Sequence, residues 1–178
     1  ILQGGLYNGV IRALQRLGDA LTEVRRLSHR LRPALLDTLG LPAAIERLGD
    51  EFGEDGALPA TLEVQGEPFE LSQDAKTALF RVAQEALTNV HKHARARQVR
   101  IALRFDAASG VQLAIEDDGQ GFDVEATQAD PRRGIGLRNM RERMGAIGGR
   151  LDMRSGAGRT TITAEVPAAI ARVQGDAA

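Results

Sequence analysis

Two runs of alternating side chains, Val99-Arg-Ile-Ala-Leu-Arg-Phe105 and Val111-Gln-Leu-Ala-Ile115, flank a turn at Ala107 to Gly110. A period of two marks a strand, and two such runs around a short turn form a hairpin. The second arm runs directly into Glu116-Asp-Asp-Gly-Gln-Gly-Phe122, so a carboxylate and two spaced glycines stand at a strand end. Further strands are expected at Thr61 to Gln65, Arg150 to Arg154 and Thr160 to Val166. Helices are expected from the cap Ser72 to about Ala94, and from Gly134 to about Ile147, where Gly148-Gly149 stops the second. Helices mixed with hairpins imply an α+β sandwich on a mixed, mostly antiparallel sheet, and exclude a doubly wound parallel fold.

The first thirty residues follow another period. Val10, Leu14, Leu17, Leu21, Val24, Ser28 and Leu31 are spaced as a heptad seam, which asks for a partner helix, and Pro33 ends it. Residues 1–33 therefore read as a dimerisation helix. Residues 34–59 read as a connecting turn, a short helix begun near Pro42 and a linker rich in acidic residues and glycine. Residues 60–168 form the sandwich, and 169–178 read as a frayed tail.

With a net charge of −1, no global field favours nucleic acid, and the basic stretch Lys92 to Arg104 has no interleaved aromatics to stack bases. The absence of cysteine excludes disulfides and thiolate metal sites. No apolar run approaches the ~18 residues of a membrane span. The first residue is Ile1, not Met, which suits a piece of something longer.

Chemistry concentrates in three places. On the helix ending near Ala94, Leu79, Phe80, Val82, Ala83, Ala86, Leu87 and Val90 gather on the side expected to face the sheet. Glu85, Asn89 and His93 make a separate one-turn stripe, with Lys92 beside it. Alone, such a stripe is more often a solvated surface. Asn89 can, however, give Mg²⁺ a hard oxygen, Lys92 can neutralise a phosphate, and Glu85 can orient or deprotonate a nucleophile. At the strand end, the Asp117 carboxylate can accept from the exocyclic amine of adenine, with Gly119 letting a flat base approach the backbone. Residues 123–133 show no apolar period and read as a mobile lid. After them Gly134-Ile-Gly136-Leu137 opens a helix whose free N–H groups can hold phosphate, with Arg132, Arg133 and Arg138 nearby. Each signal is common alone. Their order and spacing together point to an ATP site.

These residues resemble a family. Gln84-Glu-Ala-Leu-Thr-Asn89-Val-His-Lys-His93-Ala94 is similar to the N box of sensor histidine kinases, in the two-component class that signals to NarL-type response regulators. Asp117, Gly119 and Gly121 match its Asp-x-Gly-x-Gly box, and Gly134, Gly136 and Leu137 its Gly-x-Gly-Leu box. Arg26 to Pro33, through Leu39-Gly-Leu41, resembles the join between its dimerisation helices and kinase domain. The resemblance implies the Bergerat (GHKL-type) ATP-binding sandwich shared with gyrase, HSP90 and MutL, preceded by a dimerisation helix. It implies ATP and Mg²⁺ as cofactors, with Asn89 as metal ligand, Asp117 on adenine, Gly134 and Gly136 on phosphates, Thr160 lining the adenine pocket and Glu85 as polarising base. It also implies a homodimer, a response regulator as partner, and a cytoplasmic domain of a parent that is commonly membrane-anchored.

Two positions depart from the family pattern. Aligning on Thr160 puts Arg159 where the last glycine box usually has Gly. The family phosphorylates a histidine directly followed by an acidic residue, whereas the histidines here are followed by Arg30, Lys92 and Ala94. The phosphoacceptor is therefore expected upstream of this chain. A GHKL-type ATPase, or a non-catalytic dimerisation or nucleotide-sensing module, are the rival readings.

Overall fold

The computed structural model describes residues 36–53, 58–130, 134–156 and 158–172. The chain divides into two compact units, Ile1–Thr38 and Leu39–Ala178. The heptad seam, Pro33, Arg132 and Arg133 lie outside the described residues, as do residues 173–178. None of the described helices is long and apolar enough to cross a membrane.

The second unit opens with helical residues over 39–53 (α1), longer than the short helix expected near Pro42. Its apolar stripe, Leu41, Ala44, Ile45 and Leu48, is buried. Strand β1, Ala60–Gln65, and the hairpin β2, Val99–Asp106, and β3, Gly110–Asp117, follow the expected alternation. Strands β4, Arg150–Gly156, and β5, Arg159–Pro167, complete a five-stranded sheet of order β1-β2-β3-β5-β4. Only the β1–β2 pairing is parallel. The sheet is mixed and mostly antiparallel, as expected.

Period-two alternation decides which face each residue takes. Val99, Ile101, Leu103 and Phe105 of β2, Val111, Leu113 and Ile115 of β3, and Ile162, Ala164 and Val166 of β5 are buried. The same alternation carries Asp117 and Thr160 to that buried face, at the end of the β3–β5 ladder where they stand opposite each other. The opposite face is polar, with Arg100 and Arg104 exposed and Gln112 bonded to Glu165.

Helix α2, Gln73–Asn89, is capped by Ser72, whose Oγ accepts from Ala75 N at 3.3 Å. All seven apolar residues assigned to its inner side are buried. Burying a Leu or Val fully is worth about 1.5–3 kcal/mol, so this stripe fixes the helix on the sheet. Helix α4, Ile135–Ala146, buries Leu137, Met140 and Met144 and packs beside α2.

Three expectations are corrected. The single helix to Ala94 instead ends at Asn89 and widens into a π turn, Val90–Ala94, closed by Arg95 in the left-handed region at φ 52°. The segment read as a lid, in which no helix was expected, contains a short helix α3, Val124–Ala129, because Asp123 caps it by accepting from Ala126 N at 2.9 Å. It buries no residue, which is why no apolar period marks it. The tail, expected to fray over 169–178, instead begins in a short helix. Helix α5, Ala168–Ala171, is held because Ser72 N donates to Ala171 O at 2.6 Å and Ser72 Oγ to Ile170 O at 3.0 Å. The Arg172 guanidinium stacks 4.6 Å above Phe69.

Candidate functional site

The loop from Asp117 to Phe122 is held residue by residue. Asp117 Oδ1 accepts from Gly119 N at 2.9 Å. Asp118 Oδ1 accepts from Arg97 N at 2.6 Å and Gln98 N at 3.0 Å, tying the loop to the start of β2. Gln120 donates twice to the end of the π turn, from N to Ala94 O and from Nε2 to His93 O, each at 2.8 Å. Phe122 N donates to Ser155 Oγ of β4 at 2.9 Å. Gly121, at φ 68°, lies so close to the Gly156 carbonyl that any Cβ would overlap it. Anchored at nearly every position, this loop is a rigid platform.

Above it lies a cavity of about 660 Å³, within the range of small-molecule sites. Helix α2 and the π turn contribute Glu85, Asn89, Lys92 and His93. The sheet contributes Asp117 and Thr160 over an apolar floor of Ile115 and Ile162. Gly121, Gly134, Gly136 and Leu137 also line it, the last three from the start of α4. Gly119 sits behind Asp117 as its hydrogen-bond donor and does not line the cavity. All the site residues named from the sequence thus fall in or directly behind one cavity.

The two walls differ electrostatically. Asp117 is 5 % exposed, and burial pushes its carboxyl above the ordinary carboxylate value of 3.8. The Gly119 N–H opposes that shift, while the nearby Asp118 and Glu116 charges reinforce it. Asp118, exposed to solvent, is held below the usual value by the Arg97 and Gln98 amides. Adjacent carboxylates thus have opposite environments. Across the cavity, the first N–H groups of α4 have no partner within the helix. Arg138 Nη1 donates to Asp130 O at 3.3 Å and secures the chain just beyond α3. The Glu85 carboxylate occupies the space where a Cβ on Gly136 would stand, so its close approach to the start of α4 depends on residue 136 having no side chain.

Asn89 Nδ2 is buried without a hydrogen-bond partner. An unpaired buried amide costs about 1–3 kcal/mol, a cost that a polar group bonded to it would relieve. Arg159 stays outside the cavity, on the face opposite Thr160, with Nε 3.7 Å from Glu116 Oε1. It therefore does not block the pocket. Sequence reasoning missed Gln120 and Ser155. Ser155 stands opposite Thr160 across the β4–β5 ladder, with their hydroxyls 2.9 Å apart. Two hydroxyl residues flanking the Gly156–Gly158 turn were the available signal.

Residues 74–170 match the family described as Histidine kinase-, DNA gyrase B-, and HSP90-like ATPase. The chain belongs to that family. Its match spans the cavity from α2 to α5, and the family's members bind ATP. The chain is 42 % identical over 156 residues to the sensor histidine kinase MctS of Rhizobium johnstonii, covering 88 % of this chain and 34 % of MctS. It is 40 % identical over 129 residues to the signal transduction histidine-protein kinase/phosphatase UhpB of Salmonella typhimurium, covering 72 % of this chain and 25 % of UhpB. It spans about a third or less of the length of these relatives. Among solved structures, a blue-light activated histidine kinase of Erythrobacter litoralis shares the fold with a TM-score of 0.61 at 22 % identity, covering 82 % of this chain and 49 % of that one. The Acinetobacter baumannii histidine kinase AdeS does so at 0.59 and 15 %, covering 85 % and 83 %. The second unit carries a histidine-kinase ATP-binding domain of the GHKL fold.

Proposed function

We propose that this chain serves a sensor histidine kinase that transfers the γ-phosphoryl group of ATP to a histidine on an upstream dimerisation helix outside this chain. The phosphoryl group then passes to a response regulator of the NarL type. One observation carries the reading: the buried Asp117 carboxylate and the N-terminus of α4 open onto the same cavity, which Asn89 and Lys92 also line. A carboxylate accepts from the adenine amine, and helix N–H groups bind phosphate oxygens.

Phosphoryl transfer asks a protein chiefly to position and to neutralise. Lys92 supplies a point charge, and the α4 amides supply directed donors. Glu85 is placed to polarise the incoming histidine, whose ring nitrogen bonds to phosphorus as the bond to ADP breaks. Mg²⁺, when bound, offsets charge on the phosphates. The fit to that ion is favourable, because Mg²⁺ takes few protein ligands and the unpartnered Asn89 amide, turned over, presents its oxygen. None of the histidines in this chain precedes an acidic residue, which supports an acceptor elsewhere. The seam from Val10 to Leu31 would pair two copies in a helical bundle, on the cytoplasmic side of a membrane-anchored parent.

Calorimetric titration of ATP with and without Mg²⁺, beside Asn89→Ala, tests the site. Mg²⁺-dependent binding lost in the variant is expected, with no label incorporated from γ-labelled ATP. Self-labelling of this chain would overturn the placement of the acceptor. Glu85 beside the start of α4 also suits an ATPase, in which it would activate water. That reading predicts steady turnover abolished by Glu85→Gln, against sluggish turnover here.

A further inference from the structure

Ser155 does not line the cavity, yet it sits where the hydrogen-bond polarity of the site is decided. Its Oγ already accepts the Phe122 N–H at 2.9 Å and lies 2.9 Å from Thr160 Oγ1. A hydroxyl has one proton and two lone pairs. With one lone pair taken by Phe122, Ser155 keeps a proton and a lone pair for Thr160, and either hydroxyl can donate to the other. When Ser155 is the donor, the Thr160 proton is left to point elsewhere. Thr160 is 6 % exposed and lines the cavity, where it is the direct cross-strand partner of Asp117. Directly opposed residues on one sheet face have neighbouring side chains. In that arrangement the cavity wall presents the Asp117 carboxylate as acceptor next to a Thr160 hydroxyl whose proton is available to a ligand.

We infer that Ser155 donates its proton to Thr160 and is thereby a specificity-determining positioning residue, which makes the pocket read an amine beside a bare ring nitrogen and reject the reverse order. Adenine offers that edge, an exocyclic amine next to an unprotonated ring nitrogen. Hypoxanthine and guanine reverse it, with a carbonyl oxygen next to a ring N–H. Without the Ser155 proton, the Thr160 hydroxyl is free to rotate and accept, so half of the discrimination code is lost. The inference rests on the nucleotide reading given above.

The test compares ATP with inosine triphosphate, which reverses the edge without the extra 2-amino group of guanine. Dissociation constants for both are measured on the full chain in wild type, Ser155→Ala and Ser155→Thr. In Ser155→Ala the ATP preference falls about 5- to 10-fold, the size of one hydrogen bond misdirected. Ser155→Thr, which keeps the hydroxyl, restores it. If Ser155→Ala weakens both nucleotides equally, Ser155 merely braces Phe122 and the inference fails while the nucleotide site stands. An unchanged preference with unchanged affinity overturns it equally. No ATP binding by the wild type would overturn the nucleotide reading, and this inference with it.

Discussion

The two walls of the cavity are built on opposite plans. The wall bearing Asp117 and Thr160 belongs to the sheet, and its loop is fixed by hydrogen bonds to β2, β4 and the π turn. The wall bearing Gly134 and Gly136 is a helix end, approached by the long side chain of Glu85 and secured by Arg138 beyond α3. A flat aromatic base is recognised by a fixed pattern of donors and acceptors, so its wall has to be rigid. A flexible triphosphate is held by charge and by amides that need only converge. Substitutions on the first wall should therefore disturb fold and binding separately or together in predictable ways, whereas those on the second should act mainly on binding.

The sharpest break is Asp117→Asn. Losing a charge-assisted hydrogen bond, about 1.5–3 kcal/mol, should weaken ATP binding roughly 100-fold by calorimetry. The unliganded fold should nonetheless hold or gain stability. Because burial raises the Asp117 carboxyl, the folded state binds more protons than the unfolded chain as pH climbs from 3.8 to the raised value. Stability falls through that window and stays reduced above it. Asn carries no such cost, so Tm measured against pH should lose that slope. A variant both unfolded and inactive would break the distinction between the walls.

Gly121→Ala comes next. Its Cβ would enter the backbone of Gly156 from a left-handed φ, and backbone cannot move aside as a side chain can. Urea unfolding should show a loss of about 2 kcal/mol or more. Gly136→Ala sharpens the contrast, because its Cβ would meet only the flexible end of Glu85. Stability should stay within about 1 kcal/mol of wild type while ATP affinity drops, and adding Glu85→Ala should recover part of that affinity. The smallest effect is expected for Asp118→Ala. Its lowered carboxyl contributes stability above 3.8 that is lost as pH falls through the lowered value, so the Tm deficit should close in acid.

Legibility in the sequence divides along the same line. The sheet wall is legible because alternation in Val111 to Ile115 assigns a face to each residue, and the count carries on to Asp117. The fold class comes from the same period. On the helical wall, Asp123 to Ala129 carries a capping carboxylate but no buried residue, so helix α3 leaves no pattern. The α5 segment reads as tail because its small residues bury little, and the group that holds it, Ser72, lies far away in sequence. Ser155 escapes because its importance lies in a proton, which neither period nor composition records.

The π turn at Val90–Ala94 governs how this site tolerates change in chain length. A π turn is an α-helix carrying one surplus residue, so the side chains and carbonyls within it take directions that an ordinary helix would not give them. Deleting one residue between Val90 and Ala94 would restore an ordinary helix. It would also swing Lys92 and His93 away from the cavity and withdraw the two carbonyls that Gln120 grips. The chemical groups of the site could all survive such a deletion, yet their alignment would not, so this segment should accept exchanges of residue far more readily than a change in their number.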